Sequence, residues 1–157
     1  MLKKALIATS LLAATSVVHT AVANDEPSDN RWYLTGLYSF NNPASNRSVS
    51  GNSVGWTAGI GKHISHSVAI EANMFSFGIN GISGGATSDL SGYSLNALYY
   101  PLGREYGFFG LLGGGQMKND VDGGGEASNT IIDLGLGFMR SIGTNGTQLR
   151  GEVRARI

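Results

Sequence analysis

The chain has 157 residues, 24 of them glycine, no cysteine and a formal net charge of zero. This length suits a single domain, and the balanced charge argues against a nucleic-acid partner, which would require a basic surface. Without cysteine the fold cannot use disulfides, although an exported protein would be permitted to form them.

The first element is a short apolar segment near the N-terminus. Lys3 and Lys4 precede an apolar stretch over residues 5–18, and the small residues of 21–23 follow it. This order is typical of a secretory signal peptide. The stretch is too short and too often interrupted by Ser and Thr for a membrane anchor. We predict a signal peptide over residues 1–23, cleaved after Ala23, and an exported domain over residues 24–157.

Seven runs with strand-like patterning follow the signal segment. Most alternate apolar residues with polar or small ones, which is the pattern of a β-strand with two different faces. Their length of about ten residues is what a tilted membrane-spanning strand needs. The run over 107–117 is apolar on both faces, and Gln116 suggests that its even positions point inward. The seven runs cover residues 31–40, 54–63, 67–77, 91–100, 107–117, 130–140 and 149–157.

The connections between these runs alternate between long and short. Long connections cover residues 41–53, 78–90 and 118–129, whereas 64–66, 101–105 and 141–148 are shorter. This alternation is typical of an antiparallel up-and-down transmembrane β-barrel, with long loops outside the cell and short turns in the periplasm. The sequence therefore predicts an all-β barrel whose first strand runs outward from the periplasm.

Charged residues inside the runs lie opposite the apolar stripe of their own strand. Three acids and three arginines share this placement, so they could pair with one another inside a closed lumen, where a buried charge must be paired. The alternative is that they form the solvated face of a soluble sheet. The predicted lumenal residues are Glu71, Asp133, Arg150, Glu152, Arg154 and Arg156.

Aromatic residues concentrate near the ends of the runs, as in the interfacial girdles of membrane barrels. One band would lie at the periplasmic side and the other toward the outer side. The periplasmic band comprises Trp32, Tyr99, Tyr100 and Tyr106, and the outer band Phe40, Trp56, Phe75, Phe77 and Tyr93.

Candidate catalytic and metal-binding residues are few. A His-x-Ser pair, His63 and Ser65, is similar to that of lipid A deacylase barrels, but it falls in a periplasmic turn, far from the outer rim where such an enzyme acts. In the third long loop, Asp120, Asp122 and Glu126 offer oxygen ligands for calcium without the full spacing of a calcium loop. We therefore predict no enzyme activity, no cofactor and no metal.

Three segments resemble the OmpA-like family of outer-membrane barrel domains. They are the Trp-Tyr pair that opens the first run at residues 31–33, the Gly-Trp to Gly-x-Gly-Lys run over 55–62, and the Arg/Glu run over 149–157. The resemblance implies an eight-stranded antiparallel barrel with a side-chain-filled lumen, which anchors the protein in the bacterial outer membrane and forms at most a narrow pore. It implies contact with outer-membrane lipid, lipopolysaccharide and the barrel-assembly machinery. Peptidoglycan would be bound only through a periplasmic domain, which the sequence here does not include.

The sequence departs from that family in its strand count of seven. Bacterial single-chain barrels have an even number of strands, and two open edges in lipid would leave backbone groups unpaired. We therefore expect the chain to be a fragment of a longer protein. Two other functions stay open: a surface adhesin that acts through the long loops, and a soluble periplasmic barrel that holds an apolar ligand.

Overall fold

The computed structural model describes residues 16–20, 31–41, 53–79, 88–121, 127–142 and 147–157. These residues form a closed barrel in which each strand pairs antiparallel with the next and the last strand pairs with the first. A single 3-10 turn, Arg104–Tyr106, precedes the sixth strand. The strands are β1 Ser16–Thr20, β2 Trp32–Asn41, β3 Ser53–His63, β4 Val68–Ile79, β5 Ser88–Tyr99, β6 Phe108–Val121, β7 Ala127–Ser141 and β8 Thr147–Arg156.

The seven predicted runs are confirmed as β2 to β8, but several strands continue beyond them. β6 extends to Val121 and β7 begins at Ala127, where the flanking residues are polar. The alternation of apolar side chains stops where a strand leaves its apolar surroundings. The backbone hydrogen bonds between β6 and β7 continue beyond that point, so the strands are longer than the apolar pattern. Among the described residues, no helix is long and apolar enough to span a membrane.

The two faces of the sheet differ as the alternation predicts, with one correction. On β7 the side chains of Ile132, Leu134 and Leu136 are exposed, whereas Asp133 is fully buried. The inward phase suggested for β6 by Gln116 is wrong, because Gln116 is exposed on the outer wall. The hydroxyl of Tyr93 on the neighbouring strand donates a hydrogen bond to Gln116 Oε1 at 3.1 Å, which satisfies this polar side chain outside the lumen.

The eighth strand comes from a segment that the sequence assigns to the signal peptide. β1 pairs with β2 between Tyr33 and Leu37 and with β8 between Thr147 and Arg150. It therefore covers part of the edges that seven strands would leave open. The physical reason is the demand for backbone partners at those edges, which the backbone of β1 meets where it pairs.

Several large aromatic rings inside the described lumen lie against glycines of the wall. Tyr33 is paired with Gly61, Phe77 with Gly55, and Phe109 with Gly137 in the cross-strand register. A Cβ atom at any of these glycines would overlap the partner ring. Glycine is therefore required here for close approach, and the covering ring restores the contacts that glycine lacks.

Replacing one of these glycines tests the packing. Gly61→Val should destabilise the barrel by about 1–3 kcal/mol, because the new side chain must displace the Tyr33 ring in a packed interior. The matched control is Gly36→Val, since no heavy atom of the described residues lies within 4 Å of a Cβ at that outward-facing position. The measurement is the urea midpoint of unfolding in lipid vesicles. Equal shifts for the two variants would contradict the packing described for Gly61.

Export and processing are tested by isolating the full-length protein from membranes. We expect it in the outer-membrane fraction, with a gel mobility that shifts on boiling and an N-terminus at Asn24, because the signal pattern ends at Ala23. N-terminal sequencing provides the measurement. An N-terminus upstream of Ser16 would contradict cleavage and would mean that β1 is retained as a barrel strand.

Candidate functional site

The centre of the lumen is built on the alternation of β8. Arg150, Glu152 and Arg154 are separated by one residue each, so all three point to the same side of the strand, and all three are buried. Glu71 on β4 and Asp133 on β7 complete the set from other parts of the wall, both fully buried. Arg156, at the end of β8, is partly buried on the same side.

These six side chains form a continuous series of alternating charges, called here the ionic ladder. Arg150 lies 2.6 Å from Glu71 Oε2 and 2.6 Å from Glu152 Oε2. Arg154 joins Glu152 Oε1 at 2.7 Å to Asp133 Oδ2 at 3.2 Å. Arg156 completes the series with Nε 2.7 Å from Asp133 Oδ1. The structure thus brings together all six of the predicted lumenal residues.

Two aromatic layers enclose the ionic ladder. At the end that carries the short turns, called here the turn end, Tyr33, Tyr100 and Phe109 form a buried cluster, and the Arg150 guanidinium lies 4.9 Å from the Phe109 ring centre. At the opposite, loop end, Phe75 and Phe77 pack with Ile131. The Arg156 guanidinium lies 3.6 Å from the Phe75 ring centre. Cation–π contact therefore couples the ladder to the layers above and below it.

The ladder links distant parts of the wall through paired charges. Unpaired buried charges would be strongly destabilising, but here each acid contacts at least one arginine, and the three acids balance the three arginines. Asn73 donates a further hydrogen bond to Glu71 Oε1 at 2.9 Å. The arrangement can brace β4, β7 and β8 against each other and fill the middle of the lumen.

The predicted girdle residues divide between the two faces. Trp32, Tyr99, Phe40 and Trp56 are all exposed on the outer wall. Tyr100 is a correction: its side chain is 1 % exposed and belongs to the lumenal cluster at the turn end. Tyr99 and Tyr100 are adjacent, so they point to opposite sides, and Tyr99 takes the outer one. Phe75 and Phe77 also lie inside rather than in the outer band.

The His-x-Ser pair is divided between the lumen and a turn. His63 is buried next to Tyr33, with ring centres 4.8 Å apart. Ser65 is exposed and its hydroxyl accepts a hydrogen bond from the Ser67 backbone N–H at 3.3 Å, as in an ordinary turn. Of the candidate calcium ligands, Asp120 lies on β6, whereas residues 122 and 126 lie outside the described residues. Within the described ranges, no group of three His, Cys, Asp or Glu residues is placed to hold a metal ion.

The structure has a basic cavity at the turn end that the sequence did not predict. It has a volume of about 840 Å³ and is lined by Arg31, Arg104 and Arg140, with Glu105 as a lining acid. His66 lies 3.0 Å from Glu105 Oε2. The signal for this cavity was weak, because its arginines stand singly near the ends of different runs and meet only when the barrel closes.

A comparison with protein-family models agrees with this architecture. The model of the outer membrane protein beta-barrel domain matches residues 10–156. The chain belongs to this family. The searches of curated proteins and of solved structures found no significant match. Family membership accounts for the apolar exterior, since a membrane barrel presents its apolar side chains to lipid.

The ionic ladder is tested by removing one arginine. Arg154→Leu should destabilise the barrel by about 3–5 kcal/mol, because Glu152 and Asp133 lose a shared partner and the lumen retains an uncompensated negative charge. The measurement is the urea midpoint of unfolding, followed by the mobility shift on boiling. Adding Glu152→Gln restores the charge balance and should recover part of the loss. Lys62→Leu, on the outer wall, is the control. An Arg154→Leu variant as stable as the parent would contradict the ladder.

Proposed function

We propose that the protein is a structural β-barrel that anchors its chain in the bacterial outer membrane and has at most a narrow pore. The observation that carries this proposal is the combination of an apolar outer wall with a lumen filled by paired charges and aromatic rings. An anchor needs the first property to be stable in lipid. It needs the second to keep the membrane sealed, since a wider barrel interior would hold water.

The outer wall supports contact with lipid. Leu95, Leu112 and Leu136 are 60 %, 59 % and 73 % exposed, which would be costly in water over so large a connected surface. Exposed Trp32 and Tyr99 lie toward the turn end and exposed Phe40 and Trp56 toward the loop end. We infer that phospholipid and lipopolysaccharide are the surrounding partners, and that the barrel-assembly machinery inserts the exported chain.

The filled lumen supports a sealed barrel. Phe75 and Phe77 occupy the loop-end level, the ionic ladder the middle, and Tyr33, Tyr100 and Phe109 the turn-end level. A solute would have to separate Arg150 from both Glu71 and Glu152, which are salt-bridged at 2.6 Å. We therefore propose a structural rather than a catalytic or transport role.

The other functions considered from the sequence have weaker support. A soluble barrel that holds an apolar ligand would need a polar exterior and an apolar cavity, whereas this barrel has an apolar exterior and charged residues at its centre. The adhesin hypothesis concerns the long loops, most of whose residues lie outside the described part of the chain. It stays a prediction from the sequence alone.

Conductance across a planar bilayer tests the sealed lumen. The parent barrel should show no stable open-channel current, because side chains fill its interior. The double variant Glu71→Ala/Arg150→Ala removes one acid and one base, so charge balance is kept while the middle level is opened, and current should appear. The control is His66→Ala/Glu105→Ala, which removes an exposed contact between two side chains, 3.0 Å apart, outside the middle level. A parent current as large and stable as that of the double variant would contradict the proposal.

A further inference from the structure

An apolar groove runs along the outer wall over β6, β7 and β8. The cross-strand register aligns Phe108 with Phe138 and Phe138 with Gly151 in one row, and Gly110 with Leu136 and Leu136 with Val153 in the next. All six positions face outward. Because the two glycines have no side chains, they leave a trough between the larger residues. The groove has a volume of about 870 Å³.

The groove continues into the basic cavity at the turn end. Phe138 lines both of them. Arg140 is two residues beyond Phe138 on β7, so it points to the same side, one row nearer the turn end. Arg104, in the short 3-10 turn before β6, lines the same basic cavity. The wall therefore presents an apolar trough that ends at two arginines.

Arg104 has unused hydrogen-bonding capacity. Its Nη1 atom is buried and has no hydrogen-bond partner among the described residues. The only lining carboxylate of the described cavity, Glu105, is already 3.0 Å from His66. A buried guanidinium nitrogen without an acceptor is costly, and planar arginine side chains bind phosphate oxygens well. The cavity is thus suited to a phosphate group.

The apolar trough and the two arginines together suit an amphiphile, which carries both a hydrocarbon chain and an anionic group. A free phosphate would use the arginines and leave the trough empty, and a hydrocarbon would do the reverse. We propose that this site binds one anionic glycerophospholipid of the periplasmic leaflet, with its phosphate between Arg104 and Arg140 and one acyl chain along the groove. The inference rests on the proposed membrane insertion, which puts the turn end at the periplasmic surface. It adds a specific lipid site to a wall otherwise contacted by bulk lipid.

Native mass spectrometry of the full chain in detergent micelles tests the site, with phosphatidylglycerol as the titrated probe. The parent should retain one lipid. Arg104→Gln/Arg140→Gln should weaken the apparent affinity at least about tenfold by removing the phosphate ligands. Gly110→Leu should weaken it similarly by filling the groove. The heavy atom nearest to a Cβ at position 110 is Leu136 Cδ2, at 4.0 Å, so Gly110→Leu should not affect folding.

Matched controls separate the site from general lipid contact. Lys62→Gln removes a cation near the turn end of β3 that lies 5.2 Å from the Trp32 ring centre, outside the groove. Gly36→Leu fills another outward-facing glycine position on β2. Both should bind phosphatidylglycerol as the parent does. Each variant is first checked for the mobility shift on boiling, so that loss of insertion, which would count against the proposed function, is distinguished from loss of the site.

Several outcomes would overturn the proposal. One is unchanged lipid retention in Gly110→Leu, which remains informative even if the double arginine variant does not fold. Another is an equal loss in the two controls, which would mean an unspecific lipid layer. A third is displacement of the lipid by glycerol 3-phosphate at a concentration equal to that of the lipid. This would show that the groove contributes nothing to lipid affinity. Displacement of lipid by a second copy of the chain would assign the groove to self-association instead.

Discussion

The structure depends on one constraint, namely that backbone N–H and C=O groups in hydrocarbon have no water to bond and must pair with one another. A sheet meets this condition only when it closes on itself, because any edge leaves a row of unpaired groups. While residues 16–20 are present, β1 lies between β2 and β8 in the order of antiparallel neighbours and meets this condition over part of the seam. Closure then forces one face of each strand into a narrow interior and turns the other toward lipid.

The narrow interior explains the lumenal composition. Arg150, Glu152 and Arg154 on β8 are buried there. They are compatible with folding because Glu71 and Asp133, on other strands, pair with the arginines. The lumenal aromatic rings also have little room, and the glycines opposite Tyr33 and Phe109 leave space for them. Charge pairing and aromatic packing are thus two consequences of closing a small barrel. Both support the proposal of at most a narrow pore.

The outer wall is subject to other constraints than the lumen. An outward-facing residue contacts only its neighbours on the wall and the surrounding lipid, so its pattern is simple and easily predicted. Variations in that pattern are therefore informative: Gly110 and Gly151 interrupt a continuous apolar surface, and Arg140 follows Phe138 on the same face. The combination of both departures in one part of the wall distinguishes the groove and its basic end from the rest of the outer wall.

The alternation of residues 149–157 by itself determined that Arg150, Glu152 and Arg154 share one face, because side-chain direction along a strand depends only on odd or even position. The same rule gave the exposed faces of β2 to β5 and of β7. It gave the wrong phase for β6, which is apolar on both faces. The girdle assignment failed at Tyr100, because two adjacent tyrosines on a strand point to opposite faces. Only the tertiary structure decided which acid each arginine meets, that Tyr33 lies on Gly61, and that Arg104 and Arg140 line one cavity. These contacts join residues from separate strands, and their partners are fixed by register and closure, which alternation within one strand does not encode.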